Sequence, residues 1–124
     1  MKVLVVDDET DVQVLFEQRF RREIRAGEIQ FAFAHSGENA LTYLNEHASE
    51  YVLILSDINM PGMSGLELLR LIRTEHPAAP PTVMMITAYG DAESHDQAMK
   101  LGADAFLTKP LDFANLKEKL KNAL

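Results

Sequence analysis

The chain has 124 residues and no cysteine, so disulfide bonds, a thiol nucleophile and thiolate metal ligands are excluded. Its composition, 47% hydrophobic and 25% charged, is typical of a globular domain. No apolar run approaches the roughly 20 residues of a membrane span, and the net charge of −7 argues against nucleic-acid binding by this chain itself. We therefore expect one cytoplasmic domain over residues 1–124 that contacts neither membrane nor nucleic acid.

A short apolar run at residues 3–6 predicts a first strand that ends at two carboxylates, Asp7 and Asp8. Asp11 is the candidate N-cap of a single amphipathic helix, whose inward residues recur at helical spacing: Val12, Leu15, Phe16, Phe20 and Ile24. The opposite face carries basic residues, either an ordinary solvated face or a docking surface for a partner: Arg19, Arg22 and Arg25.

The second strand alternates large apolar residues with smaller or polar ones, which predicts a half-covered strand at an edge of the sheet. The large residues are Ile29, Phe31 and Phe33. Ser36 then becomes the candidate cap of a short helix.

The apolar run at residues 51–56 predicts a third strand that is buried on both faces and ends at Asp57. Pro61 and Gly62 turn the chain, and Ser64 with Glu67 matches a capping box that would open the next helix. Taken alone, Asp57 fits an Asx-turn better than a reactive group.

A fourth apolar run, residues 82–87, ends at Thr87. The helix expected from Asp91 to Leu101 should dock weakly, because its candidate inward residues are mostly small: Ala92, Ala98 and Met99. Residues 105–108 predict a short last strand that ends at Lys109, and Asp112 would cap the final helix, with Leu111 and Leu116 as its hydrophobic staple.

Five successive strand–helix units predict an α/β three-layer sandwich, with a parallel sheet covered by helices on both faces. All strand ends that carry chemical groups would then lie along one edge of that sheet. The groups are Asp7, Asp8, Asp57, Thr87 and Lys109.

Three carboxylates held close together repel one another unless a cation lies between them. Oxygen ligands of this kind suit Mg²⁺, which keeps several of its own waters. One carboxylate could then act as a nucleophile toward a phosphoryl group, while Lys109 neutralises phosphoryl charge and Thr87 donates a hydrogen bond.

Along essentially its whole length the sequence resembles a response-regulator receiver domain of two-component signalling. The motifs that carry the resemblance are Val5-Val6-Asp7-Asp8-Glu9, Asp57-Ile58-Asn59-Met60-Pro61-Gly62-Met63-Ser64-Gly65, Ile86-Thr87-Ala88, Gly102-Ala103-Asp104-Ala105-Phe106 and Thr108-Lys109-Pro110. The resemblance implies a flavodoxin-like (βα)5 fold with strand order 2-1-3-4-5.

The resemblance also implies roles for individual residues. Asp57 would be the phosphoacceptor, catalytic together with Thr87 and Lys109. Mg²⁺ would be bound by Asp8, by Asp57 and by the backbone carbonyl of Asn59, with Asp7 acting mainly through water. Thr87 and Phe106 would form a switch pair, and the Lys109-Pro110 bond would be cis.

The implied phosphodonor is a sensor histidine kinase or a histidine phosphotransfer protein. The domain would catalyse its own phosphorylation and dephosphorylation, and the surface of the fourth helix, the last strand and the final helix would signal to an unknown downstream protein. The sequence leaves open whether this segment acts alone or within a larger protein.

Other classes fit less well. A haloacid-dehalogenase-type phosphatase needs a second aspartate where Asn59 stands, and a flavodoxin needs a phosphate-binding loop after the first strand. A receiver-like interaction module that works without phosphorylation is the stronger rival, and its hallmark would be loss of an acid or of the lysine.

Three features differ or vary from the family pattern. Phe106 stands where tyrosine is frequent, and Tyr89 occupies a position that influences phosphoryl lifetime. Around Asp104 the sequence lacks the second acid of regulators that dimerise through their last two helices, so that mode of dimerisation is not expected.

Overall fold

The computed structural model describes residues 1–47, 50, 53–75, 82–88 and 90–122. The strands are β1 (Lys2–Val6), β2 (Gln30–Ala34), β3 (Leu53–Asp57), β4 (Thr82–Thr87) and β5 (Ala105–Thr108). The helices are α1 (Asp11–Arg19), α2 (Arg21–Arg25), α3 (Gly37–His47), α4 (Gly65–Glu75), α5 (Ala92–Lys100) and α6 (Phe113–Asn122). The predicted first two residues of the third strand, Tyr51 and Val52, lie outside the described residues.

The five strands form one parallel sheet in the order β2-β1-β3-β4-β5, which confirms the expected topology. β2 lies at an edge, as its alternating pattern predicts, and every residue of the central strand β3 is buried. Within the described part of the chain, no helix has the length and apolar character needed to cross a membrane.

Alternate residues of each strand face two separate hydrophobic cores. Leu4 and Val6 of β1 pack with residues of α3, α4 and α5, whereas Val3 and Val5 pack with residues of α1 and α6. The sheet is thereby covered on both faces, and the strand ends gain a rigid base.

The prediction of a single first helix is wrong. Phe20 leaves the helical conformation, with φ −106° and ψ 19°, and separates α1 from α2. The ring of Phe20 is buried and lies 5.0 Å from that of Phe31, so the contact with β2 coincides with the break. Two predicted inward residues, Leu15 and Ile24, are 39% and 38% exposed.

The cap of α1 also differs from the prediction. Thr10 is the N-cap residue and Asp11 is the first helical residue, where its carboxylate still faces the positive end of the helix dipole. Side-chain caps predicted elsewhere are confirmed: Ser36 Oγ accepts from Asn39 N at 3.0 Å, and Asp112 Oδ1 accepts from Asn115 N at 3.1 Å.

The capping box at the start of α4 is half formed. Ser64 Oγ accepts from the backbone N–H of Glu67 at 3.2 Å. The carboxylate of Glu67 does not complete the box, because it pairs with Arg70, whose Nε donates to it at 3.0 Å. An ion pair one turn along the helix has replaced the reciprocal bond.

Helix α5 has one buried residue, Ala98, as expected of a lightly packed helix. Ala92 and Met99 were predicted to face inward and are exposed, Met99 by 43%. Successive helical residues point about 100° apart, so Ala98 and Met99 do not share one narrow inward face.

The aromatic cluster beneath α1 yields a stability prediction. Phe16 is 1% exposed and its ring contacts four others: Phe20, Phe31, Phe33 and Phe113. Phe16→Ala should lower the free energy of unfolding in urea by about 3–5 kcal/mol, because it leaves a cavity. The matched change Val14→Ala, at a residue 56% exposed, should stay within about 0.5 kcal/mol. Similar losses in both variants would refute this account of the core.

Candidate functional site

The carboxyl edge of the sheet brings three predicted site residues together. Asp57 is the last residue of β3, and Asp7 and Asp8 directly follow β1. One carboxylate oxygen from each of the three lies within 4.8 Å of the others. Asp7 and Asp57 are each only 6% exposed, which makes their charges costly in the absence of a counter-charge.

Lys109 supplies that counter-charge from the end of β5. Its Nζ donates to Asp7 Oδ2 at 3.0 Å and to Asp57 Oδ2 at 3.3 Å. The backbone N–H of Lys109 also donates to the carbonyl of Thr87 at 2.8 Å, which ties the lysine to the end of β4. The Lys109-Pro110 peptide bond is cis, as the family resemblance implied.

Burial and the contacts among these groups together raise the pKa of both Asp57 and Lys109. Burial, and then the negative charge of Asp7, raise the pKa of Asp57, and Lys109 offsets only part of this rise. Burial by itself would lower the pKa of Lys109, but its bonds to the two carboxylates outweigh burial and raise that pKa. The raised pKa of Lys109 favours its ammonium form, and the raised pKa of Asp57 reflects the cost of burying its negative charge beside that of Asp7.

Asn59 and Thr87 form a bond that the sequence did not predict. The Nδ2 amide of Asn59 donates to Oγ1 of Thr87 at 3.1 Å, and Thr87 is fully buried. Sequence reasoning gave Asn59 only a backbone role. Its side chain nevertheless links the loop after β3 to the end of β4, next to the carboxylates.

Gly65, at the start of α4, is a second residue whose importance sequence reasoning missed. A Cβ atom at this position would lie 2.0 Å from the backbone carbonyl oxygen of Asp57. The N–H of Gly65 donates to the carbonyl of Ile58 at 2.8 Å. Only glycine therefore permits α4 to begin so close to the backbone of Asp57. In the sequence, a glycine at the start of a helix is only a weak indication of such a close approach.

The predicted switch residue Phe106 lies on β5, half-buried, away from the carboxylates. Its ring packs edge to face on His95 of α5, with 5.3 Å between centroids and an interplanar angle of 78°. The contact connects the last strand to α5, a helix whose one buried residue is Ala98. Tyr89, the residue expected to affect phosphoryl lifetime, lies outside the described residues.

The donor set fits a divalent cation. Three carboxyl groups stand against one ammonium in a mostly buried position, and Mg²⁺ with its preference for oxygen ligands would supply the missing positive charge. A cleft with a volume of about 640 Å³ opens beside Asp57, so that a cation or a phosphodonor has access. Its walls include Leu15 and Arg19 of α1 and Phe113 of α6.

Comparison with known proteins gives a consistent result. The response regulator receiver domain family matches residues 3–121. Response regulator protein PilR of Pseudomonas aeruginosa is 40% identical over 99% of this chain and 26% of its own length. Response regulator RppA of Synechocystis is 35% identical over 98% of this chain and 49% of its own. The chain thus spans about a quarter to a half of these relatives.

Solved structures agree in fold. A response regulator receiver domain protein from Clostridium thermocellum has a TM-score of 0.86 at 28% identity, covering 98% of this chain and 92% of that one. Response regulator protein TrrA from Thermotoga maritima, in complex with Mg²⁺-BeF, has a TM-score of 0.78 at 32% identity, with coverages of 99% and 98%.

The raised pKa of Asp57 leads to a prediction about stability without metal. An ionised, buried Asp57 destabilises the fold, so Asp57→Asn should raise the melting temperature at neutral pH in EDTA. The advantage of the variant should shrink as the pH falls through the folded-state pKa, because the wild-type carboxyl then becomes neutral too. Thermal unfolding followed by circular dichroism across this pH range measures the effect. A variant that is less stable than wild type at neutral pH would contradict the assignment.

Proposed function

The chain belongs to the response regulator receiver domain family, and on that basis we propose that residues 1–124 form the phosphoacceptor domain of a two-component phosphorelay, with Asp57 as the acceptor. The observation that carries the proposal is the contact of a buried strand-end carboxylate with Lys109 at 3.3 Å, beside two further carboxylates. Receiver domains are phosphorylated by sensor kinases. The phosphodonor proposed here is the phosphohistidine of such a kinase or of a histidine phosphotransfer protein.

In the proposed reaction, an oxygen of Asp57 attacks the phosphorus atom of the phosphohistidine. A phosphorus–oxygen bond forms, the phosphorus–nitrogen bond breaks, and the histidine leaves with the electron pair of that bond. Lys109 already donates to Asp57, so its ammonium lies where it would meet the phosphoryl oxygens. Asp57 must be ionised to react, and this is why its counter-charges matter.

The proposed magnesium ligands are Asp8, Asp57 and the backbone carbonyl of Asn59, with Asp7 acting through water. When bound, Mg²⁺ supplies positive charge that offsets the charge on the phosphoryl oxygens. The same residues would serve the later dephosphorylation, a separate hydrolysis in which water attacks phosphorus, the phosphorus–oxygen bond to Asp57 breaks and inorganic phosphate leaves. The domain is therefore a signalling domain that acts on its own side chain.

The rival function, an interaction module independent of phosphorylation, has less support. Such a module would be expected to lack an acid or the lysine. Here all three carboxylates and Lys109 are present, the carboxylates lie close together, and Lys109 pairs with Asp7 and Asp57.

The cleft beside Asp57 offers a surface for the phosphodonor. Leu15 is 39% exposed at its wall, and neighbouring Val14 is 56% exposed on α1. The guanidinium of Arg19 lies 5.5 Å from the ring centroid of Phe113 on the facing helix α6. We propose that a helix of the phosphodonor covers this apolar and basic surface while its histidine reaches Asp57.

The proposed output is a shift between two arrangements. The hydroxyl of Thr87, now the acceptor of the Asn59 bond, would turn to donate to a phosphoryl oxygen, and Phe106 would move into the space behind it. Phe106 would then leave His95 of α5, a helix whose one buried residue is Ala98. The changed surface of α5, β5 and α6 is what the unknown downstream protein would recognise.

Phosphorylation can be tested directly with a small donor. Incubation with acetyl phosphate and Mg²⁺ should add one phosphoryl group to the wild type, labile to base as an acyl phosphate is. Asp57→Asn should abolish the addition, because an amide is a poor nucleophile, whereas the control Asp96→Asn, at an exposed carboxylate, should not affect it. Mass spectrometry of the intact protein distinguishes these cases. Equal modification of wild type and Asp57→Asn would rule out Asp57.

The switch predicts a specific response to beryllofluoride, a stable mimic of phosphoaspartate. In the wild type, NMR shifts should spread from Asp57 to the ring of Phe106 and to the amides of α5. In Thr87→Ala, which lacks the hydroxyl, shifts should stay near Asp57. Shifts confined to the site in the wild type as well would mean that Phe106 is a static core residue.

A further inference from the structure

We infer that Glu38 is a positioning residue for the magnesium site: it holds the loop that carries Asn59, although it touches neither the carboxylates nor Lys109. The inference rests on the proposed function, because Asn59 is a proposed metal ligand. The inference adds a residue of α3 to the site, whereas the residues described above belong to other elements.

The contact lies between the start of α3 and the loop after β3. Glu38 is the second residue of α3, and its Oε1 accepts a hydrogen bond from the backbone N–H of Met63 at 2.9 Å. The two residues are 25 positions apart in the chain. A hydrogen bond that a backbone N–H donates to a carboxylate is stronger than one donated to a neutral acceptor. Such a bond can fix a loop at the surface.

Two glycines allow this close approach. A Cβ on Gly37 would lie 2.9 Å from Sδ of Met63, so α3 begins in direct contact with the loop. Gly62 has φ +74°, and a Cβ there would lie 3.3 Å from Oε2 of Glu38. The left-handed backbone of Gly62 therefore turns the loop directly against the carboxylate of Glu38.

The loop after β3 is consequently fixed on both sides of Asn59. At its base, the N–H of Gly65 donates to the carbonyl of Ile58 at 2.8 Å. Farther out, Met63 is bound by Glu38. Asn59 follows Ile58 within this loop, and its side chain donates to Thr87.

Loss of the Glu38 bond should therefore act on the site through Asn59. If Met63 is released, the backbone carbonyl of Asn59 is less well placed for the cation, and its amide bond to Thr87 loses support. Removal of residues that orient metal ligands typically weakens metal binding 10–100-fold. Because the Glu38 bond is exposed to solvent, we expect a weakening of about tenfold, at the lower end of that range.

Three variants separate this effect from simple electrostatics, with Mg²⁺ as the ligand in calorimetric and NMR titrations. Glu38→Ala should weaken Mg²⁺ binding about tenfold. Glu38→Gln removes the charge but keeps an oxygen that can accept from Met63, so binding should stay within about twofold of wild type. The control Glu46→Ala removes a carboxylate from the same helix, at an exposed residue whose side chain makes no hydrogen bond within the described part of the chain, and should leave binding unchanged.

Hydrogen exchange in EDTA provides a readout that does not depend on magnesium. The Met63 amide should exchange more slowly in wild type and Glu38→Gln than in Glu38→Ala. Equal Mg²⁺ binding by wild type and Glu38→Ala overturns the inference, as does equal weakening in both Glu38 variants, which would point to charge alone. If the wild type binds no Mg²⁺, or if Asp8→Ala binds it as tightly as the wild type does, the proposed metal site is overturned instead. The hydrogen-exchange result then still decides whether Glu38 holds the loop.

Discussion

The repulsion among Asp7, Asp8 and Asp57 is the constraint on which the rest of the structure depends. Parallel strands must end at the same edge, so the fold that brings these groups together also forces like charges into contact. Lys109 offsets part of that cost by donating to two of the three carboxylates. The remaining negative charge favours a bound cation at this edge of the sheet.

Such a site needs a rigid support, and the two hydrophobic cores provide it. Every residue of β3 is buried, and the phenylalanine cluster under α1 fixes the face of the sheet next to the cleft. The support is uneven, because α4 contributes four buried residues and α5 only Ala98. On this measure α5 is held to the sheet by less buried apolar surface than α4 and is the easier of the two to displace.

Sequence patterns predicted the strands and the meeting of Asp7, Asp8, Asp57 and Lys109 at one edge of the sheet, because burial and charge at strand ends are local properties of the chain. The strand order came from family resemblance. The break at Phe20 and the exposure of Met99 were missed because tertiary packing sets the helix phase. The bonds of Asn59 to Thr87 and of Glu38 to Met63 were missed for a related reason. Each bond joins residues at least 25 positions apart, and the hydrophobic periodicity of a sequence does not predict contacts between such distant residues.

The bond between Lys109 and Asp7 spans 102 positions of the chain. Synthesis proceeds from the N-terminus, so all three carboxylates leave the ribosome well before the lysine that partly neutralises them. A nascent chain that ends before β5 contains the three carboxylates but lacks Lys109 and the strand that pairs with the outer edge of β4. Any phosphoryl acceptance that depends on Lys109 therefore requires synthesis to pass β5.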